Sequence, residues 1–481
     1  MSATAVPARP TLPPGVRVGP LVALLVGSAF VVILNETIMG VALPELMKEF
    51  GVEATSAQWL TTAFLLTMAV VIPVTGWLLR RFTLRQVFLA AMISFTIGTA
   101  LAGAAPTFAV LVAARVVQAV GTALMMPLLM TTILTIVEPE RRGRMMGTIS
   151  IVISVAPAVG PTISGIVLDQ LDWRWMFWLV LPIALLSLGL GAAWVRNVTE
   201  PVRAPLDVLS VALSALAFGG LVYGLSSIGE SAAGHAPVAP WIPLVIGAVA
   251  LAAFVGRQLA LRDRALLDVR TFASRTFSVA VVLVAVSMMA LFGTLILLPI
   301  YLQSVLGLST LDAGLVLLPG GLAMGLLAPV VGRLFDRVGP RPLVAPGAAV
   351  ASVALWLMTT FDPSTGRGDV IGVHVLLSIG LALMFTPLMT SALGSLPQHL
   401  YAHGSATVST LQQVAGAAGT ALFVTVMTRG QVAGVEDGLS VVEATADGIH
   451  TAFLYGGAIS AAAVLIALAV RRPQPQVLEA A

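Results

Sequence analysis

Two charged side chains lie inside long apolar segments and are the first candidates for chemistry. Glu36 lies eight residues before Pro44, at the end of one segment, and Arg115 lies eight residues after Thr107, at the start of another. At about 1.5 Å per helical residue, each lies roughly 12 Å from that end of its segment. A charge in the middle of a membrane costs about 2.5 to 3.5 kcal/mol, so each of these two charges calls for an explanation.

Two interpretations of this pair are open. In the first, Glu36 takes up a proton from one side of a membrane and releases it on the other, in competition with a substrate or with Arg115. In the second, the two residues form a fixed ion pair that only holds two helices together. His399 and His403 share a four-residue spacing, but no third ligand is near them in the sequence, so we predict no metal site.

The composition indicates what surrounds the pair. Of the 481 residues, 58% are apolar and 10% are charged, whereas about a quarter are charged in soluble proteins. A membrane-spanning helix needs about 20 apolar residues. The sequence contains fourteen such runs, and we predict spans at 20–44, 57–79, 86–104, 107–136, 147–168, 176–195, 208–228, 241–257, 277–300, 312–334, 343–360, 370–392, 405–427 and 449–470. A twelve-span alternative stays open, in which the seventh and eighth runs lie at the membrane surface.

The cationic residues are distributed unequally between the two sides. If the amino terminus is cytoplasmic, twenty of the 25 Lys and Arg residues fall in cytoplasmic loops and tails. Four fall outside, namely Lys48, Arg174, Arg367 and Arg429. The positive-inside rule predicts this asymmetry. We therefore expect a multi-pass protein of the cell membrane with both termini in the cytoplasm.

Several function classes are excluded or disfavoured. Lys48 is the only lysine and does not follow a glycine-rich turn, which excludes a P-loop nucleotide site in this chain. The absence of cysteine excludes thiolate nucleophiles and cysteine-ligated metals. An intramembrane enzyme would need paired acids or a Ser/His pair within the spans, where only Glu36 and Arg115 qualify as candidates. A channel would need a filter loop, and the sequence shows none. We predict no enzymatic activity, no cofactor and no nucleic-acid partner.

An internal repeat divides the chain. PVTGWLLRRFTLR, which starts at Pro73, matches PVVGRLFDRVGPR, which starts at Pro329, at six positions with a constant offset of 256 residues. Each copy closes the second span of a six-span half, as in a rocker-type secondary transporter. We predict an all-α membrane protein divided into a cytoplasmic tail, a six-helix bundle, two linking helices, a second six-helix bundle and a second tail. The boundaries are 1–19, 20–195, 196–276, 277–470 and 471–481.

The repeated loop resembles the G-x-L-x-D-R-x-G-R-[KR] signature of the major facilitator superfamily, and three more segments carry the resemblance. LVAARVVQAVG, which contains Arg115, is similar to the fourth-span motif, and APAVGPTISG is similar to the fifth-span antiporter motif. LNETIMGVALP is similar to the first-span motif of the fourteen-span drug:proton antiporters, in particular their lincomycin-resistance-like branch. The resemblance implies a conformational role for Pro157, Gly160, Pro161, Gly165, Gly76, Arg81, Gly332, Asp336 and Arg337.

Three positions depart from the family pattern. Arg80 and Thr83 stand where the first repeated loop usually has Asp and Gly, whereas the second copy keeps Asp336. These departures disfavour an aspartate-based latch in the first copy, whereas Asp336 beside Arg337 favours a latch in the second. In the alternative that stays open, the loop arginines only fix the topology. Asn35 occupies the common aspartate position of the first span, and Glu36 follows it, turned by about 100° around the helix.

The resemblance implies two six-helix bundles plus two additional helices, and a proton-coupled antiporter that exports lipophilic drugs or antibiotics by alternating access. It also implies that the first and fourth spans face each other. The expected partners of this monomer are protons, the lipid bilayer and a neutral or monocationic drug-like molecule. A metabolite transporter or facilitator, and a non-transporting scaffold or sensor, stay open as alternatives. The side chains expected at the substrate cavity are Asn35, Met39, Phe64, Gln118, Met125 and Phe385.

Overall fold

Fourteen long helices make up the protein, as described by a computed structural model for residues 18–470 except 53, 58, 199–200, 203–204 and 233–237. All fourteen are long and apolar enough to cross a membrane; for the sixth, the span begins at Trp175 and includes a short helical turn before the helix itself. This confirms the predicted fourteen-span all-helical fold rather than the twelve-span alternative. The helices are α1 (Val18–Phe50), α2 (Trp59–Arg81), α3 (Leu84–Gly103), α4 (Phe108–Ile136), α5 (Arg142–Gln170), α6 (Val180–Trp194), α7 (Val208–Ala232), α8 (Trp241–Leu261), α9 (Arg275–Ile300), α10 (Thr310–Val338), α11 (Arg341–Met358), α12 (Arg367–Gly394), α13 (Tyr401–Glu436) and α14 (Val441–Ala467).

Some predictions fall outside the described residues. These are nearly all of the tails 1–19 and 471–481, and the side chain of Pro161. Several helices also extend beyond the predicted apolar runs. The clearest case is α14, which begins at Val441 rather than near 449. Its start is a capping box, in which the Ser440 side chain accepts from the Glu443 backbone and the Glu443 side chain accepts from the Ser440 backbone.

The two copies of the repeated loop end in different ways. After α10, Gly339 has a φ of 81°, a left-handed conformation that favours glycine at a helix end. After α2, Thr83 has an extended backbone and caps α3, forming a capping box with Gln86. The threonine that replaces the family glycine therefore starts the next helix instead of ending the previous one.

The helices form two halves, α1–α6 and α9–α14, which pack against each other along two seams. Along one seam α5 lies against α10, where a Cβ on Gly147 would come within 2.5 Å of the carbonyl oxygen of Ala328. Along the other seam α2 lies against α13, and the linking helix α7 packs on both. Ala69, Phe218, Phe254 and Ala406 share one apolar cluster there.

One membrane face carries the loops that follow α2, α4, α6, α8, α10 and α12. It includes Arg80, Arg141 and Arg337, among other cationic residues. We call it the arginine face. The opposite face carries the loops that follow the odd-numbered helices.

Candidate functional site

A central cavity lies between the two halves. Four helices of each half line it, α1, α2, α4 and α5 on one side and α9, α10, α12 and α13 on the other. The cavity and the solvent space continuous with it measure about 1180 Å³. Its wall is mostly apolar and rich in methionine, and its lining includes Met68, Met126, Met288, Leu291, Phe292, Leu295 and Met324. Flexible thioether side chains suit apolar ligands of varied shape.

Glu36 lies on this wall and is the only carboxylate among the described residues that line the cavity. It sits in the middle of α1, partly exposed to the cavity. Within the described part of the chain, its carboxyl makes neither a hydrogen bond nor an ion pair within 4 Å. An acid without a fixed partner, facing a cavity, is free to exchange its proton or to meet a ligand.

Arg115 is buried at 1% exposure and has its own set of partners. Its Nη1 donates to Asn35 Oδ1 at 3.1 Å and to Gln118 Oε1 at 2.9 Å. Its guanidinium lies over the Phe64 ring, 4.0 Å from the centroid, and Gln118 Nε2 donates in turn to Thr99 Oγ1 at 2.8 Å. Arg115 thus contacts amide oxygens and an aromatic face, and the fixed Glu36–Arg115 contact of the second interpretation is not formed in this structure.

The structure places none of the six predicted cavity residues on the cavity wall. All six are buried, with exposures of 0 or 1%. The six residues therefore lie away from the observed cavity wall, and their contact with a substrate stays a prediction; they are Asn35, Met39, Phe64, Gln118, Met125 and Phe385.

The reason is helix rotation. Thr122 and Met126, one turn apart on α4, face the cavity, whereas Met125 is turned about 100° from Met126 and packs in the core. Asn35, Phe64 and Gln118 surround Arg115. Met39 belongs to an apolar cluster that includes Trp173, and Phe385 belongs to another that includes Leu388.

Sequence reasoning missed a polar patch on the carboxyl-terminal half. His374 and Ser378 on α12, and Ser409, Gln412 and Gln413 on α13, all line the cavity. The sequence contains an indication of this patch, because His374 and Ser378 are four residues apart and therefore share one face of a helix. A histidine considered only as a metal ligand does not reveal this pattern.

The small residues of α5 have different surroundings. Pro157 lines the cavity. A Cβ on Gly160 would collide with Thr37 Oγ1 of α1, whereas a Cβ on Gly165 would meet nothing within 4 Å. The helix is continuous from Arg142 to Gln170. Gly160 thus permits close contact between α1 and α5 next to Glu36.

We expect Gly160→Ala to lower transport about tenfold and Gly165→Ala to change it less than twofold. The added methyl group at Gly160 overpacks the contact with Thr37, and overpacking costs about 1 to 3 kcal/mol. The measurement is initial transport rate per folded protein, with Tm as a check on folding. Equal effects of the two substitutions would show that the α1–α5 contact has no special role.

The repeated loop joins the halves through Asp336. Its two carboxylate oxygens accept hydrogen bonds from the backbone N–H groups of Gly143 at 2.9 Å and Arg144 at 3.0 Å, in the first turn of α5. A carboxylate at a helix amino terminus is also favoured by the helix dipole. Gly332 lies so close to Gly143 that a Cβ on either residue would collide with the other's backbone or with Asp336. Arg337 is exposed and takes no part in this contact.

Arg80, at the equivalent position of the first copy, also crosses to the other half. Its Nη1 donates to His403 Nε2 on α13 at 2.8 Å, and Gly76 packs against the same imidazole. Arg81 is exposed and lies 5.9 Å from the Phe82 ring centroid. The first copy therefore also joins the two halves, although through Arg80 and His403 rather than through an aspartate.

The linking segment approaches the same histidine. The Asp268 backbone N–H lies 3.4 Å from His403 Nδ1, and the Asp268 carboxylate pairs with Arg270 at 2.7 Å. Burial raises the pKa of Asp268, but the hydrogen bonds from Arg270 outweigh it, so the net pKa lies below the usual value. Asp268 is thus an ionised structural partner of Arg270.

Further hydrogen bonds connect the halves between the cavity and the arginine face. Thr131 bonds to Ser405 at 2.7 Å, Ser150 to Thr386 at 2.8 Å, and Arg142 donates to Tyr401 Oη at 3.0 Å. Together with the contacts of Asp336 and Arg80, they close the cavity toward the arginine face.

Known proteins resemble the chain along most of its length. Residues 25–420 match the Major Facilitator Superfamily. The chain is 43% identical to the lincomycin resistance protein LmrB of Listeria monocytogenes, over 95% of this chain and 98% of the relative. It is 40% identical to that of Bacillus subtilis, over 95% and 96%. The multidrug export protein EmrB of Haemophilus influenzae is 30% identical, over 85% of this chain and 81% of the relative.

Solved structures share the fold at low sequence identity. The human organic anion transporter MFSD10 superposes with a TM-score of 0.68 at 15% identity, over 95% of this chain and 100% of that chain. The proton:xylose symporter XylE gives a TM-score of 0.63 at 15% identity, over 94% and 96%. Sequence motifs, helix arrangement and near full-length relatives agree: the chain belongs to the major facilitator superfamily of membrane transporters.

Proposed function

We propose that the chain is a proton-coupled antiporter that exports a lipophilic drug or antibiotic by alternating access. The observation that supports the proposal is Glu36, the only acid among the described residues of the cavity wall, whose carboxyl makes no hydrogen bond and no ion pair within 4 Å in the described part of the chain. The names of its relatives, which are lincomycin resistance and multidrug export proteins, support a drug-like substrate.

The arginine face is the cytoplasmic face in this proposal, and both termini lie there, because cations are retained on the cytoplasmic side. The closed arginine face then corresponds to a state that cannot exchange with the cytoplasm. In that state Glu36 takes up a proton from outside and the substrate leaves. The monomer then rocks its two bundles, 20–195 and 277–470, about the cavity, and Glu36 releases the proton inward as new substrate binds.

The energy supply is sufficient for export. A proton-motive force of about 150 mV provides roughly 3.5 kcal/mol per proton. At about 1.36 kcal/mol per factor of ten, one proton per cycle sustains a substrate gradient of a few hundredfold.

Inverted membrane vesicles test the function. With an acidic lumen, vesicles that contain the protein should accumulate radiolabelled lincomycin or the lipophilic cation tetraphenylphosphonium, and a protonophore should abolish the accumulation. Vesicles from cells without the protein are the control. Accumulation of both probes that is identical with and without the protein, or insensitive to the protonophore, would contradict proton-coupled export.

A further inference from the structure

Three polar atoms that belong to cavity-lining side chains are buried without any hydrogen-bond partner in the described protein. They are His374 Nδ1, Ser409 Oγ and Gln412 Nε2. Buried polar groups are nearly always hydrogen-bonded, and leaving one unpaired is costly. All three belong to the carboxyl-terminal half, His374 on α12 and the other two on α13.

The amino-terminal half differs in this respect. Its two cavity-lining hydroxyls are satisfied by their own helices, since Thr37 donates to the Leu34 carbonyl at 2.9 Å and Thr122 to the Gln118 carbonyl at 3.2 Å. Glu36 is the remaining polar side chain on that side of the wall. Apart from Glu36, the polar atoms of the cavity lining that have no hydrogen-bond partner therefore all belong to the carboxyl-terminal half.

The polar side chains of α12 and those of α13 flank an apolar surface. Helix α9 packs against both α12 and α13, and it contributes Met288 and Phe292 to the wall between them. Gly320 of α10 leaves the room that the imidazole occupies, because a Cβ there would collide with His374 Nδ1. The position of the histidine is thus built into the packing of α10 against α12.

We propose that His374, Ser409 and Gln412 form a hydrogen-bonding subsite that selects amphiphiles carrying hydroxyl or amide groups on an apolar body. The polar groups of the substrate pair with α12 and α13, and its apolar part lies on α9. Proton coupling and substrate selection then use different halves of the protein. The inference rests on the proposed export function and names the substrate class of the same cavity.

Binding to the purified full-length protein in detergent tests the subsite. The probes are lincomycin, which carries hydroxyl and amide groups, and tetraphenylphosphonium, which has no hydrogen-bonding group. We expect His374→Leu and Gln412→Leu each to weaken lincomycin binding about tenfold, the usual scale for one lost hydrogen bond to a ligand. Tetraphenylphosphonium binding should change less than twofold.

Two further variants serve as controls. His374→Gln keeps a hydrogen-bonding side chain and should retain more lincomycin affinity than His374→Leu. Thr294→Val removes another buried and unpartnered hydroxyl, which does not line the cavity, and should leave both affinities unchanged. If His374→Leu and Gln412→Leu fold and leave lincomycin affinity unchanged, or weaken both probes equally, the subsite is wrong.

The outcome is separable from that of the proposed function. Wild-type vesicles that transport either probe in response to protons, combined with unchanged lincomycin affinity in His374→Leu, contradict only the subsite. Wild-type vesicles that transport neither probe contradict the export function, and the subsite with it.

Discussion

Glu36→Gln is expected to abolish proton-driven accumulation of substrate while substrate exchange without a gradient continues. Glutamine keeps the size and hydrogen-bonding capacity of the side chain but cannot carry the proton. Because Glu36 is the only carboxylate on the described cavity wall, no second acid there can replace it. The gradient of a few hundredfold that about 3.5 kcal/mol per proton can sustain should therefore collapse to equilibrium.

The measurement compares two modes of transport in the same vesicles. Accumulation driven by a pH gradient should fall to the level of empty vesicles, whereas counterflow of labelled against unlabelled substrate should persist. Asp312→Asn is the matched control, because Asp312 is an acid in the first turn of α10 and lies away from the cavity wall. Full pH-driven accumulation in Glu36→Gln would show that this residue has no role in proton coupling.

A double variant separates Glu36 from its neighbour. Asn35 occupies the position where the family commonly has aspartate, but its side chain accepts from Arg115 and does not line the cavity. Asn35→Asp combined with Glu36→Gln should therefore not restore coupling, since the new carboxyl would be held by Arg115. Restored coupling would mean that the route of the proton passes through position 35 instead.

Apolar periodicity and loop charge were sufficient to predict the number of helices, because each helix must bury its length in lipid. The side of the helix that faces the cavity was harder to predict. Met125 and Met126 are chemically identical, and only contacts from neighbouring helices decide that Met126 lines the cavity. Arg115 was correctly singled out as costly, yet its partners come from two other helices and from Gln118 on its own helix.

Contacts between distant loops were partly predictable from the sequence. Asp336 was marked by its repeat and by the family signature, although the sequence does not indicate that backbone N–H groups of α5 are its partners. Arg80 was recognised as a departure from the pattern, but its contact with His403 depends on how α2 meets α13. A motif therefore predicts which residue matters better than it predicts what that residue touches.

Asp336→Ala is expected to open the arginine face. The substitution removes two charge-assisted hydrogen bonds to the first turn of α5, at 2.9 and 3.0 Å. Such bonds contribute about 1.5 to 3 kcal/mol each. Even one such contribution would shift the ratio of closed to open states by roughly ten- to a hundredfold. Transport should fall because the closed state becomes too scarce to complete the cycle.

Spin labels measure this shift directly, because the chain contains no cysteine that would react with them. Cysteines introduced at Glu140 and Arg341, which are exposed on opposite halves of the arginine face, report the separation of α5 and α11 at that face. Asp336→Ala should move most of the distance distribution to longer values. Arg337→Ala is the control, since Arg337 is adjacent and exposed, and it should leave the distribution unchanged. A longer distance in Arg337→Ala with no change in Asp336→Ala would assign closure to the general charge of the loop rather than to the carboxylate on α5.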